Sequence, residues 1–121
     1  MGVTYTIPVP PPANACWRNA GFGKDTKRGG RIRTARYQTW ARAAANELLA
    51  QRARQFPGLC SVALYVPCAR VNADIDNRVK PALDILVTAG VLAGDDSRHV
   101  KRVSAEWVGK DQPCTIVLEA V

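Results

Sequence analysis

The chain is predicted to be one small α+β domain, a mixed sheet packed by two helices in the order β-α-β-α-β-β. Three observations lead there. Four short runs are rich in β-branched and aromatic residues, at 3–9, 59–66, 100–108 and 114–121. Two intervening segments repeat their apolar residues at helical spacing. The 121 residues, 47% of them hydrophobic, fit a single core, and no linker or internal repeat divides them into more than one domain, 1–121.

The first run, VTYTIPV, reads as a strand, and Pro8 marks it as an edge or a strand end because proline gives a ladder no donor. PVPPP then stops regular structure. Residues 13–34 are poor in apolar side chains and rich in glycine, so they are expected to form a long loop. That loop carries Lys24, Lys27, Arg28, Arg31 and Arg33, with Trp17 and Phe22 ahead of them. Basic side chains mixed with aromatics suit a grip on a phosphodiester backbone with stacking on bases. A solvated loop with Trp17 tucked into the core is the plainer alternative.

Residues 35–55 form the clearest helix. Thr34 can cap it, and Tyr37, Trp40, Ala41, Ala44 and Leu48 share one face. Arg36, Arg42, Arg52 and Arg54 project elsewhere and extend the basic surface. FPG at 56–58 ends it, and LCSVALYV follows as a strand closed by Pro67. Residues 77–89 are the second helix, with Val79, Ala82, Leu83, Leu86 and Val87 as its apolar face and Gly90 as C-cap. Pro81 is tolerable only near a helix start, so the regular turns are expected to begin between Asn77 and Lys80. VLAGDDSR connects to the strand VKRVSAEWV, a GKDQP turn follows, and CTIVLEAV is the last strand.

Charge is unevenly divided. Residues 1–56 hold ten Lys and Arg against Asp25 and Glu47, a net +8, while residues 57–121 hold seven against eight, a net −1. The first half suits a phosphate-binding surface and the second gathers the carboxylates. Cys16, Cys60, Cys68 and Cys114 form no C-x-x-C pair, and His99 is the one histidine. The expectation is reduced thiols buried as small hydrophobes, with no zinc site. No membrane span or signal peptide is read in the sequence, which makes the cytoplasm the expected location.

The carboxylates carry the chemistry. In VNADIDNRVK, Asp74 and Asp76 are two residues apart, and in an extended segment both face one side. Asp76, Lys80 and Asp84 fall at i, i+4 and i+8 on one helical stripe. Asp95 and Asp96 follow the same helix, and a mixed sheet could bring them back beside the first pair. Carboxylates gathered this way suit Mg²⁺ or Mn²⁺, which leave positions for water and substrate phosphate oxygens. Lys80 would then orient the nucleophile or neutralise a phosphate oxygen. Plainer readings stand beside this one. Asp76 is a good N-cap type, Asp95 and Asp96 are common turn residues, and Lys80–Asp84 makes an ordinary surface ion pair.

The run DIDNRVKPALDIL at 74–86, followed by AGVLAGDDS at 89–97, resembles the RusA family of Holliday junction resolvases. That family reads D-x-D-N-x-x-K-x-x-x-D and then, after a short A-G spacer, D-D. PPANACWR at 11–18 is similar to its P-P-S-x-N segment, with Ala13 where Ser is common. Pro81 directly after the lysine and one extra residue between Gly90 and Asp95 depart from the pattern. The resemblance implies a homodimeric, Mg²⁺-dependent endonuclease that resolves four-way DNA junctions by paired cuts in recombination and repair, of bacterial or phage origin. It places catalysis on Asp74, Asp76, Lys80 and Asp96, and metal binding on Asp74, Asp76 and the pair Asp95 and Asp96. Asn14, Trp17 and the basic loop would hold DNA. The alternative is a module that binds branched or single-stranded nucleic acid through a degenerate metal site, without cutting.

Overall fold

A computed structural model describes residues 2–19, 31–68 and 73–121. Its strands are β1 (Gly2–Thr6), β2 (Trp17–Asn19), β3 (Arg31–Arg33), β4 (Cys60–Pro67), β5 (Val100–Val108) and β6 (Thr115–Ala120). The helices are α1 (Ala35–Ala50) and α2 (Asp76–Thr88), with a single 3₁₀ turn at Ala13–Ala15. The main sheet runs β1-β6-β4-β5. β6 lies antiparallel between β1 and β4, whereas β4 and β5 are parallel and joined by α2. The predicted mixed α+β sheet with two helices is therefore present, with a small β2–β3 hairpin added.

That hairpin corrects the expectation of an unbroken loop over 13–34. Trp17 pairs with Arg33 and Asn19 with Arg31, so both ends of the glycine-rich stretch are laced together. The alternating run in β4 puts Cys60, Val62, Leu64 and Val66 on the buried face, where they meet Ile116 and Leu118 of β6. Across that face α1 lays Tyr37, Trp40, Ala44 and Leu48, as its 3.6-residue spacing requires. Thr34 caps α1: its Oγ1 accepts the Tyr37 N–H at 3.2 Å and donates to the Ala15 carbonyl at 2.6 Å. α1 stops at Ala50, earlier than the FPG signal suggested, because Arg52 takes a left-handed conformation at φ 59°.

α2 differs in two ways from expectation. It begins at Asp76, which leaves Pro81 inside it rather than in its first turn. A proline there removes one backbone donor, and the ring is instead wholly buried against the core. The buried face is also rotated: Pro81, Ala82, Ile85 and Leu86 point inward, while Val79, Leu83 and Val87 are only part-covered. Gly90, at φ +80°, turns the chain out of the helix as predicted, and the Val91 N–H returns to the Leu86 carbonyl at 2.8 Å.

Candidate functional site

The two carboxylate pairs lie at opposite ends of the β4-α2-β5 unit. A crossover helix runs back against the strands that it joins, so the segments flanking its two ends sit at the two ends of the sheet. Ala73 and Arg78 line a cleft with Pro67 and Trp107, at the carboxyl ends of β4 and β5. Asp74 and Asp76 belong to that end. At the other end, the Asp96 carbonyl accepts the N–H groups of His99 and Val100, and Val100 pairs with Cys60 at the start of β4. Eight residues of β4 separate the ends, about 23 Å at strand rise. The expectation that Asp95 and Asp96 return beside Asp74 and Asp76 is therefore not met within one chain. Among the described residues no three acidic, His or Cys side chains form a metal-holding group.

The local geometry around Asp74 also departs from the extended segment expected. Ile75 has helical dihedrals, φ −71° and ψ −33°, so simple strand alternation does not align the two aspartates. Ile75 is itself the N-cap, and Asp76 sits in the first turn, where a carboxylate is favoured by the helix dipole. Asp74 and Asp76 are both exposed. The i, i+4 stripe is formed as predicted: Lys80 Nζ lies 3.3 Å from Asp84 Oδ1, with the lysine side chain 58% exposed and the aspartate 17%. A helix-surface pair of this kind is worth only ~0.3–0.5 kcal/mol. A phosphate oxygen can therefore draw the ammonium away at little cost.

Asp96 has a different partner from the one expected. Arg98 Nη2 is 2.7 Å from its Oδ2, and the Arg98 backbone N–H donates to Oδ1 at 2.9 Å. The guanidinium hydrogen bond and then the backbone one hold this carboxyl down at about 2. It is a turn residue that closes the connection into β5, in line with the plainer of its two sequence readings. Asp95 beside it is exposed and enters neither ion pair between described residues.

Of the expected DNA-binding residues, Lys24, Lys27 and Arg28 lie outside the described residues, and of Arg31 only its place in β3 is described. Arg33 is exposed with its guanidinium carbon 5.3 Å from the Tyr37 ring centre. Asn14 is exposed on the 3₁₀ turn. Trp17 is half-buried and stacked on Tyr37, ring centres 5.3 Å apart and planes 30° to each other. One of its faces is thus taken by the core, as the plainer reading of Trp17 had it. Tyr37 in turn leans on Trp40 at 5.8 Å, its hydroxyl buried without a hydrogen-bond partner among the described residues.

Sequence reasoning missed Arg78 and Trp107 as site residues. Arg78 Nη1 donates to the Pro10 carbonyl, which pins the N-terminal proline stretch against the first turn of α2. With Arg36 it flanks the cleft at the carboxyl ends of the parallel strands, the place where open sheets containing parallel strands hold ligands. Comparison of the chain with protein-family models and with curated proteins gives no match.

Proposed function

We propose that this chain is a divalent-metal-dependent endonuclease of the RusA kind, acting as a homodimer on four-way DNA junctions. The observation that carries the reading is the disposition of one short segment. Asp74, Asp76 and Lys80 are all exposed around the start of α2, next in sequence to Ala73 and Arg78, which line an arginine-bearing cleft.

Mg²⁺ is commonly held by one or two carboxylates with waters and substrate phosphate oxygens completing its shell. Asp74 and Asp76 fit that donor set. Bound there, the metal would lower the pKa of a water and stabilise charge on phosphorus. Lys80, held loosely by Asp84, is placed to meet a phosphate oxygen, and the basic first half of the chain supplies the counter-charge for the backbone.

Asp95 joins such a site only from a second copy. Two α2 helices packed antiparallel about a two-fold axis would bring the start of each beside the end of the other. The part-covered stripe of Val79, Leu83 and Val87 offers the apolar contact for this packing. Two such composite sites related by a two-fold also suit two matched cuts in a junction of near two-fold symmetry.

The separation of the carboxylate pairs and the Arg98 lock on Asp96 favour a second reading, a binder of branched nucleic acid that does not cut. A labelled four-way junction incubated with and without Mg²⁺ separates the two. Cleavage in Mg²⁺, abolished by Asp76→Asn with binding retained, is the expected outcome. Intact junction under wild-type protein in Mg²⁺ removes the nuclease reading, and undiminished cutting by Asp76→Asn removes the role given to that residue.

A further inference from the structure

Two adjoining clefts, of about 230 and 280 Å³, share part of their lining, and the first reaches Ala73, the residue before Asp74. Val9, Arg36 and Arg78 line both. Trp107 and Ala73 close the first, and Trp40 backs the second. The arginines come from the first turns of the two helices, Arg36 on α1 and Arg78 on α2. Among the described residues no acidic side chain lines either cleft, and Arg36 is in neither ion pair between described residues.

The wall between them is fixed in advance. Proline rings restrict the backbone of Pro10–Pro12. The Trp40 indole N–H donates to the Pro8 carbonyl at 2.9 Å, Arg78 donates to Pro10, and Cys16 Sγ reaches the Pro12 carbonyl at 3.4 Å. Little of this wall needs ordering when a ligand arrives. The exposed Arg36 guanidinium can match phosphate oxygens in forked geometry, Arg78 adds positive charge from the wall, and an indole such as that of the half-buried Trp107 is a stacking partner for an aromatic base.

We propose that this double cleft is a nucleotide subsite, which takes one phosphodiester between Arg36 and Arg78 and seats an unpaired base against Trp107. The inference rests on the nucleic-acid reading above and adds which part of a strand is held. The clefts are far too small for a duplex, roughly 20 Å across, whose bases also hide their faces in the stack. An unstacked nucleotide fits, and it lies one residue from Asp74. The subsite thus selects substrates with a splayed strand and delivers the neighbouring phosphate to the start of α2.

The test uses the full chain in EDTA, so that binding is read without cutting. The first probe is a fluorescein-labelled single-stranded oligonucleotide followed by anisotropy. Arg36→Glu is expected to weaken binding about tenfold or more, since a charge-assisted contact is lost and reversed. Arg54→Glu makes the same charge change beyond the far end of α1, and is expected to weaken it by no more than about threefold. The second probe needs no variant: an oligonucleotide carrying 5-iododeoxyuridine is photocrosslinked and the attachment mapped by mass spectrometry, with Trp107 expected. Equal losses in the two variants, or crosslinks confined to other aromatics, each overturn the subsite while leaving the nucleic-acid reading in place. No binding of any oligonucleotide or junction by the wild-type protein overturns both.

Discussion

Arg98 grips the Asp96 carboxylate at both oxygens, its Nη2 2.7 Å from Oδ2 and its Nε 3.2 Å from each oxygen. The pair is exposed, and it joins two residues of the connection that feeds β5. It explains why an aspartate beside the motif does not stand ready for a metal: its lone pairs already face a guanidinium and a backbone N–H.

Replacing that partner reads out the lock. In Arg98→Ala the Asp96 carboxyl should titrate above about 2 but still below its ordinary value, because the residue-98 backbone N–H remains; side-chain carboxyl NMR shifts against pH follow it. The sign for stability follows from the depressed folded value. Whatever the pair contributes is present above pH 4 and is lost as pH falls toward 2. An Asp96 midpoint that stays near 2 in Arg98→Ala contradicts this account of the turn.

The cap of α1 ties the helix to the proline wall. Thr34→Ala removes both the bond accepted from Tyr37 and the one donated to Ala15, at an expected cost of about 1–2 kcal/mol in urea unfolding. Thr34→Ser keeps both oxygen roles and should recover most of that. Equal destabilisation by the two would mean that the methyl group, not the hydroxyl, matters at this position.

The four cysteines divide by burial. Cys16, Cys60 and Cys114 are buried, and burial raises all three thiols, to about 11 for Cys16 and Cys114. At pH 8 only about one in a thousand of a thiol at that value is thiolate, the reactive form. Cys68, half-buried after β4, is the accessible one. Ellman's reagent at pH 8 should therefore count one fast thiol in the native protein and four in denaturant. Two or more fast thiols without denaturant would place another cysteine at the surface.

Much of the fold was legible because it rests on local periodicity. The Tyr37–Leu48 spacing, the alternation from Cys60 to Val66 and the Gly90 cap each have one physical outcome, and each occurs. The α2 face was misread because Val79, Leu83 and Val87 look as apolar as Ile85 and Leu86; only packing decides which stripe meets the sheet. The β2–β3 hairpin was hidden because its strands are three residues each, too short to alternate visibly. Within the site, the Asp76–Lys80–Asp84 stripe is a helix-local feature and could be read. The distance between the two carboxylate pairs could not, since it depends on the direction in which α2 crosses the sheet. Arg78 and Trp107, 29 positions apart in the chain, meet only through the parallel pairing of β4 and β5.

The most direct test of a site shared between two copies is subunit mixing. Asp76→Asn and the double variant Asp95→Asn/Asp96→Asn are each expected to leave a four-way junction uncut in Mg²⁺. Mixed and re-equilibrated, they form heterodimers with one intact composite site, so single-strand nicking should return while paired resolution does not. If the mixture stays inactive while wild-type protein cuts, the carboxylates do not act across two chains, and the composite arrangement is wrong.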